Sequence, residues 1–268
     1  MAGTRVDGTG IAEERALHAL WLGRRPYATL YQLQLDLFER RRAGAIGDTL
    51  LLLEHDPTIT WGRGAKAEHL LVSEPQLAEQ GVSMVRTDRG GDITLHAPGQ
   101  LVAYPIIELA PNQRDVRKYV QVLAETMRQL VTPHGVGAGT LPDLIGLWAD
   151  AEDPVRWPGA DHCRRPVKLG AIGVRLSRWT TMHGFALNLT TDLKLFRLIV
   201  PCGIREHGVA SVESLTGATP SLRASAAAAH RILSHELNRR VGAFDDLSAA
   251  PLDAEALAAR LNSFSTLA

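Results

Sequence analysis

Apolar residues recur along this chain in two rhythms. Leu30, Leu33, Leu37 and Phe38 follow helical spacing within Tyr27 to Arg42, and the run closes on basic residues followed by Ala-Gly, a helix stop. Val116, Tyr119, Val120, Leu123, Met127 and Leu130 predict a second, amphipathic helix over about Arg114 to Val131. Short apolar and β-branched runs predict strands at Thr49–Leu53 and Thr58–Trp61, separated by the turn His55-Asp56-Pro57. Further strands are expected at Val82–Thr87, Asp92–Leu95, Leu101–Ile107, Ile145–Trp148, Val167–Val174 and Thr180–Leu189. Thr219-Pro220 reads as a cap and first-turn proline of a helix reaching about Val241, and a last helix covers about Asp253 to Leu261. Gly135 to Gly139 reads as a loop, and the proline- and charge-rich Ala151 to Pro166 as a mobile surface insertion between strands. The pattern predicts a mixed α/β (α+β) fold, a mixed sheet flanked by helices.

Composition narrows the setting. The 268 residues are 45% hydrophobic, enough for one substantial core. Lysine plus arginine equals aspartate plus glutamate at 29 each, so no global basic excess points to nucleic acid or an anionic membrane as partner. Two cysteines, Cys163 and Cys202, are too few for a disulfide framework, and no Cys/His spacing resembles a zinc site. A soluble protein of the reducing cytoplasm is expected. The polar stretch Met1 to Gly10 and the short, charge-flanked Ala16 to Leu22 do not read as a signal peptide or a membrane span.

Four segments carry candidate chemistry. Cys202 sits between Pro201 and Gly203, where proline restricts the thiol's direction and glycine admits a close approach, although a buried cysteine ending a helix fits the same residues. In Arg89-Gly90-Gly91-Asp92-Ile93-Thr94-Leu95-His96-Ala97-Pro98-Gly99-Gln100, paired glycines free amides to face a ligand, Arg89 offers a planar cation, and Thr94 and His96 share one side of a strand. A structural glycine-rich hairpin remains the alternative. Lys168 opens the strand Lys-Leu-Gly-Ala-Ile-Gly-Val, where an apolar wall suits a lysine to accept a proton and a solvated strand end is the ordinary alternative. His183-Gly184-Phe185-Ala186-Leu187-Asn188 again leaves room beside a strand.

These four segments in this order resemble the lipoyl(octanoyl) transferases, which move an octanoyl group from acyl carrier protein to a lysine of lipoyl domains. The resemblance runs from about Tyr31 to about Thr216 and includes Leu53-Glu54-His55-Asp56-Pro57-Thr58-Ile59-Thr60-Trp61-Gly62-Arg63-Gly64. It implies a fold like the catalytic domains of biotin protein ligases and lipoate ligases. The expected division is an N-terminal extension over 1–26, a catalytic domain over 27–216 and a C-terminal helical extension over 217–268 packed on it. By the same resemblance, Cys202 is the acyl-accepting nucleophile and Lys168 the lysine that activates it. Arg89, Gly90, Gly91, Asp92, Ile93, Thr94, Leu95 and His96 match substrate-contacting positions, with Ala171, Ile172, Gly173, Gly184, Phe185 and Ala186, while Tyr104 and His183 line the same cavity. The glycine-rich segments and His96 are expected to stabilise the tetrahedral oxyanion.

The implied partners are octanoyl-acyl carrier protein as donor and, as acceptors, lipoyl domains of 2-oxoacid dehydrogenase complexes and glycine cleavage H protein. No cofactor, metal or ATP is implied, and no P-loop is present. Arg63, Lys66, Arg114, Arg117 and Lys118 are candidates to meet the acidic carrier. Leu95 stands where the family usually has an aromatic residue and Ala97 where it usually has glycine. An ATP-dependent ligase and a non-catalytic carrier-binding module are the alternatives; the ligase would need no cysteine, and the module neither Cys202 nor Lys168 in reactive form.

Overall fold

The computed structural model describes residues 15–203 and 206–265. In chain order the strands and helices are β1 (Ala16–Arg25), α1 (Tyr27–Arg42), β2 (Asp48–His55), β3 (Thr58–Trp61), α2 (Glu74–Glu79), β4 (Ser83–Arg86), β5 (Ile93–His96), β6 (Gln100–Ile106) and α3 (Val116–Val131). There follow β7 (Ala138–Leu141), β8 (Leu144–Asp150), β9 (Pro166–Ser177), β10 (Thr180–Asn188), β11 (Gly208–Val209), α4 (Val212–Thr216), α5 (Leu222–Glu236), β12 (Arg240–Asp246) and α6 (Ala254–Ser265).

The main sheet runs β12-β1-β2-β6-β10-β9-β8-β7, with β11 added parallel to β9. β1 pairs parallel with β12 and β2, and the rest of the path is antiparallel, so the sheet is mixed as expected. Leu50 and Leu52 of β2 enter one apolar cluster and Leu51 and Leu53 the other, because successive side chains of a strand face opposite ways. On the first face lie Leu123, Met127 and Leu130 of α3 with Ala226, Ala229 and Leu233 of α5. On the second lie Leu30, Leu37 and Phe38 of α1 with Leu257 and Leu261 of α6. A small sheet, β4-β3-β5, covers its own cluster with Leu77, Phe196 and Ile199.

Several segments differ from expectation. Residues 16–25 form β1, in which both alternating sets of side chains are largely buried, and the chain after α5 forms β12 where the helix was expected to continue to Val241. The main sheet therefore takes in strands from both sides of residues 27–216. Within the expected Gly135–Gly139 loop, β7 begins at Ala138. The helix expected to open at Thr219-Pro220 is instead capped by Ser221, whose side chain accepts from the Ala224 amide. The 151–166 insertion is tied back by bonds from the Gly137 amide to the Pro154 carbonyl and from the Ala151 amide to the Arg165 carbonyl.

Buried Asp48 anchors the start of β2. Its carboxylate accepts from Arg41 at 2.8 Å and Arg239 at 2.9 Å, and from the Glu108 amide at 3.0 Å. Removing the carboxylate leaves buried Arg239 without an ion-pair partner among the described residues and Arg41 with Glu108 alone at 3.3 Å, so Asp48→Ala is expected to cost about 3 kcal/mol. Urea unfolding measures this, and a loss below about 1 kcal/mol would contradict it.

Candidate active site

A cavity of about 430 Å³ opens beside β9 and β10. It is lined by Arg89, Gly90, Gly91, Asp92, Thr94, His96, Tyr104, Lys168, Ala171, Ile172, Gly173, His183, Gly184, Phe185 and Ala186, which brings together most of the residues expected from sequence. Ile93 and Leu95 are on the other face of β5 and pack into the cluster under the small sheet, as the two-residue period of a strand requires. Leu95 thus lies away from the cavity wall. The cavity also takes in Tyr27, Val116, Val120, Val174 and the β7–β8 turn at Asp143, Leu144 and Ile145, none of which the sequence reading placed there. Val116 and Ile145 are both exposed, which puts the mouth between the first turn of α3 and that turn.

Arg89 does not extend into the cavity as a loose cation. It is buried, with Nη2 donating to the Thr60 carbonyl at 2.7 Å and hydroxyl at 2.9 Å, and Nη1 donating to the Gly90 carbonyl at 3.2 Å. It thereby pins the glycine loop to β3. The Gly90 amide is also taken, donating to the Val174 carbonyl.

The polar end of the cavity is a cluster of rings. His55 donates from Nδ1 to the Arg25 carbonyl at 2.9 Å and accepts at Nε2 from the Tyr104 hydroxyl at 2.8 Å. Burial pushes the His55 pKa down to about 4. For His96 the hydrogen-bond chain fixes the tautomer. Asn188 Nδ2 donates to the Ala210 carbonyl, Gln100 Nε2 donates to Asn188 Oδ1 and the Leu95 carbonyl, and Gln100 Oε1 must then accept from His96 Nδ1 at 2.8 Å. Burial, aided by neighbouring His55, holds the His96 pKa well below its ordinary value, so Nε2 carries a lone pair. With Nδ1 donating to Gln100, His96 presents Nε2 to the cavity as an acceptor.

His183 adopts φ +59° and is buried. Its Nε2 donates to Asp88 at 2.8 Å, and Asp88 also pairs with Arg175. The bond from His183, with Arg175 adding to it, lowers the Asp88 pKa; burial outweighs the carboxylate and lowers that of His183.

Three buried histidines held neutral give a signed pH dependence. Below about pH 6.5 the unfolded chain binds protons at His55, His96 and His183 that the native state takes up only at lower pH, about 4 for His55. Stability is therefore whole above pH 6.5 and falls as the solution is acidified. His55 alone accounts for on the order of 3 kcal/mol between those two pH values. Urea unfolding at pH 7.5, 6 and 5 is expected to show the decline, shallower in His55→Gln; equal stability at the three values would contradict it.

Lys168 is buried, and its Nζ lies 5.3 Å from the Trp148 ring centroid, a cation–π contact. Among the described residues no carboxylate forms an ion pair with it. Room for its side chain comes from Gly146 at φ +140°, where a Cβ would lie 2.4 Å from the Gly170 carbonyl oxygen and 2.7 Å from Lys168 Cε. In the backbone Lys168 is flanked by Trp148 on β8 and Val209 on β11. Because β11 follows closely on Pro201-Cys202-Gly203, its pairing with β9 draws that 3-10 turn towards Lys168, and Pro201, Lys168, Thr94 and Val209 line one small cleft. The Cys202 side chain lies outside the described residues. Cys163, in the insertion, is a free thiol whose pKa is raised by burial.

A mixed sheet between helical layers, with a largely apolar cavity ending near a buried lysine and a cysteine-bearing turn, defines an α/β domain suited to holding an acyl chain. The family model of the lipoyl protein ligase A/B catalytic domain matches residues 26–233, and the chain belongs to that family. It is 48% identical over 196 residues to an octanoyltransferase of Myxococcus xanthus, covering 73% of this chain and 52% of that one, so the chain spans about half the length of this relative. An octanoyltransferase of Chloroflexus aggregans is 43% identical over 208 residues, 78% of this chain and 89% of its own length. Among solved structures, a lipoate-protein ligase A bound with ATP superposes with a TM-score of 0.64 at 19% identity, covering 92% of this chain and 94% of that one, which shows the fold. The chain is an acyltransferase of the octanoyltransferase kind. Among the described residues no helix is long and apolar enough to cross a membrane.

Proposed function

We propose that this chain carries an octanoyl group from acyl carrier protein to a lysine of apo lipoyl domains through a thioester on Cys202. The observation that carries the reading is the convergence of the Pro201–Gly203 turn and buried Lys168 on one cleft adjoining the cavity. Lys168 takes the proton of the Cys202 thiol, and the thiolate attacks the carrier thioester carbonyl. The tetrahedral intermediate expels the carrier's thiolate, which recovers the proton from Lys168. In the second half, Lys168 removes a proton from the acceptor amine, the amine attacks the acyl-enzyme, and Cys202 leaves as a thiolate that takes that proton from Lys168, restoring the starting pair. Thioester becomes amide, and the balance needs no ATP, metal or other cofactor.

Burying about six methylenes of the acyl chain at roughly 0.8 kcal/mol each contributes about 5 kcal/mol of binding, so neighbouring chain lengths are discriminated softly. Lipoyl domains of 2-oxoacid dehydrogenase complexes and glycine cleavage H protein are the proposed acceptors, and the cytoplasm the proposed setting. Residues 27–216 are read as the catalytic core, whose main sheet is completed by β1 and β12 from the flanking segments. Transfer from octanoyl-carrier to apo lipoyl domain in the absence of ATP tests the reading. Product formed without nucleotide supports it; product that requires ATP and free octanoate refutes it in favour of a ligase.

A further inference from the structure

Cys202 belongs to a turn tied to the rest of the site through one imidazole that the sequence reading did not single out. His69 is buried, and its Nδ1 lies 2.5 Å from Asp92 Oδ2. The other Asp92 oxygen accepts from the Ile93 amide at 2.7 Å and the Lys66 amide at 3.3 Å, which holds the carboxylate in place. The backbone of the same segment grips the chain leading into the turn. The His69 carbonyl accepts from the Val200 amide at 2.7 Å, the Leu71 amide donates to the Leu198 carbonyl at 2.9 Å, and Leu70 bridges Ile199 antiparallel.

The turn then closes from the Gly203 amide to the Val200 carbonyl at 3.1 Å and lands on the imidazole–carboxylate pair. Gly203 has φ +72°, and a Cβ built there would lie 2.6 Å from Asp92 Oδ2 and 2.9 Å from His69 Cε1. A larger side chain there would displace the imidazole or the carboxylate. His69 is thus held by Asp92 through its ring, holds Val200 through its carbonyl, and with Asp92 forms the surface on which Gly203 rests. The second carboxylate facing the ring, Glu68, is 3.9 Å from Nε2 and exposed.

We propose that His69, oriented by Asp92, is a positioning residue that sets the placement of the Cys202 turn relative to the acyl cavity. The inference rests on the reading of Cys202 as the acyl acceptor. The ring acts by occupying space and by donating from Nδ1, so asparagine, whose side-chain nitrogen falls near the place of Nδ1, can substitute for it. Misplacing a reacting atom by about 1 Å costs on the order of 10²-fold in rate, without altering how the carrier is bound.

The experiment is the single-turnover rate of Cys202 acylation by octanoyl-carrier, followed by intact mass across pH 6 to 9, for wild type, His69→Ala, His69→Asn, Gly203→Ala and Cys202→Ala. His69→Ala and Gly203→Ala are expected to acylate about 10- to 100-fold more slowly, with donor half-saturation changed less than about threefold. His69→Asn is expected to recover most of the rate and to keep the wild-type pH profile. His69→Asn and Gly203→Ala carry the test should His69→Ala fail to fold. Acylation of His69→Ala or Gly203→Ala at the wild-type rate overturns the inference, as does a His69→Asn enzyme that is slow and has lost one limb of its pH profile, which would make the imidazole an acid–base group. An adduct that survives Cys202→Ala overturns the nucleophile reading and this inference with it; an adduct confined to Cys202 separates the two failures.

Discussion

Lys168→Met is expected to lower octanoyl transfer by about 10²- to 10⁴-fold, the usual contribution of a positioned acid–base group. Methionine keeps the length and apolar stem of the side chain against Trp148 and the space that Gly146 provides, so the fold has little reason to change. What disappears is the group proposed to take a proton from Cys202 and later from the acceptor amine. Both half-reactions should therefore slow, whereas carrier affinity should stay within about threefold. Rapid-quench measurement of acyl-enzyme formation and discharge separates the two steps. A variant that retained transfer within about tenfold of wild type would remove Lys168 from the mechanism.

Cys202→Ala is expected to have the larger effect, a loss of about 10⁴-fold or more, because it deletes the proposed covalent route instead of slowing it. The cavity, the glycine loop and Lys168 remain, so the variant should still bind donor and acceptor. Cys202→Ser should be nearly as poor, since a hydroxyl is far less ionised than a thiol near neutral pH. Mass spectrometry of the lipoyl domain after incubation with donor reads the product directly. Residual transfer within about tenfold of wild type would mean that the amine attacks the carrier thioester without an acyl-enzyme.

Much of this architecture is legible in the chain. α1 and α3 announce themselves by apolar residues at three- and four-residue spacing, and β2 and β6 by buried runs too short for helices. β1 and β12 are not legible for opposite reasons. β1 is buried on both faces and shows no alternation, while β12 is an edge strand whose Val241 is exposed and whose acidic end resembles a loop. The glycine-rich motifs mark the cavity because backbone must approach closely there, and strand periodicity separates Thr94 and His96, which face it, from Ile93 and Leu95, which do not. Gly146, His69 and Asp48 carry no local signature. Each acquires its part only through a neighbour distant in sequence: Lys168 for Gly146, Asp92 for His69, and Arg239 for Asp48. The acceptor state of His96 is likewise a property of a chain of bonds ending at Ala210, which no inspection of the motif reveals.

The proposed cycle turns on an octanoyl group that rests on Cys202 between donor and acceptor. Intact-protein mass spectrometry after incubation with octanoyl-carrier and no ATP, followed by peptide mapping, tests it most directly. A single octanoyl adduct on Cys202 is expected, absent from Cys202→Ala and discharged when apo lipoyl domain is added. Folded wild-type protein that forms product without ever carrying the adduct, or that modifies lipoyl domain only when supplied with ATP and free acid, would contradict it.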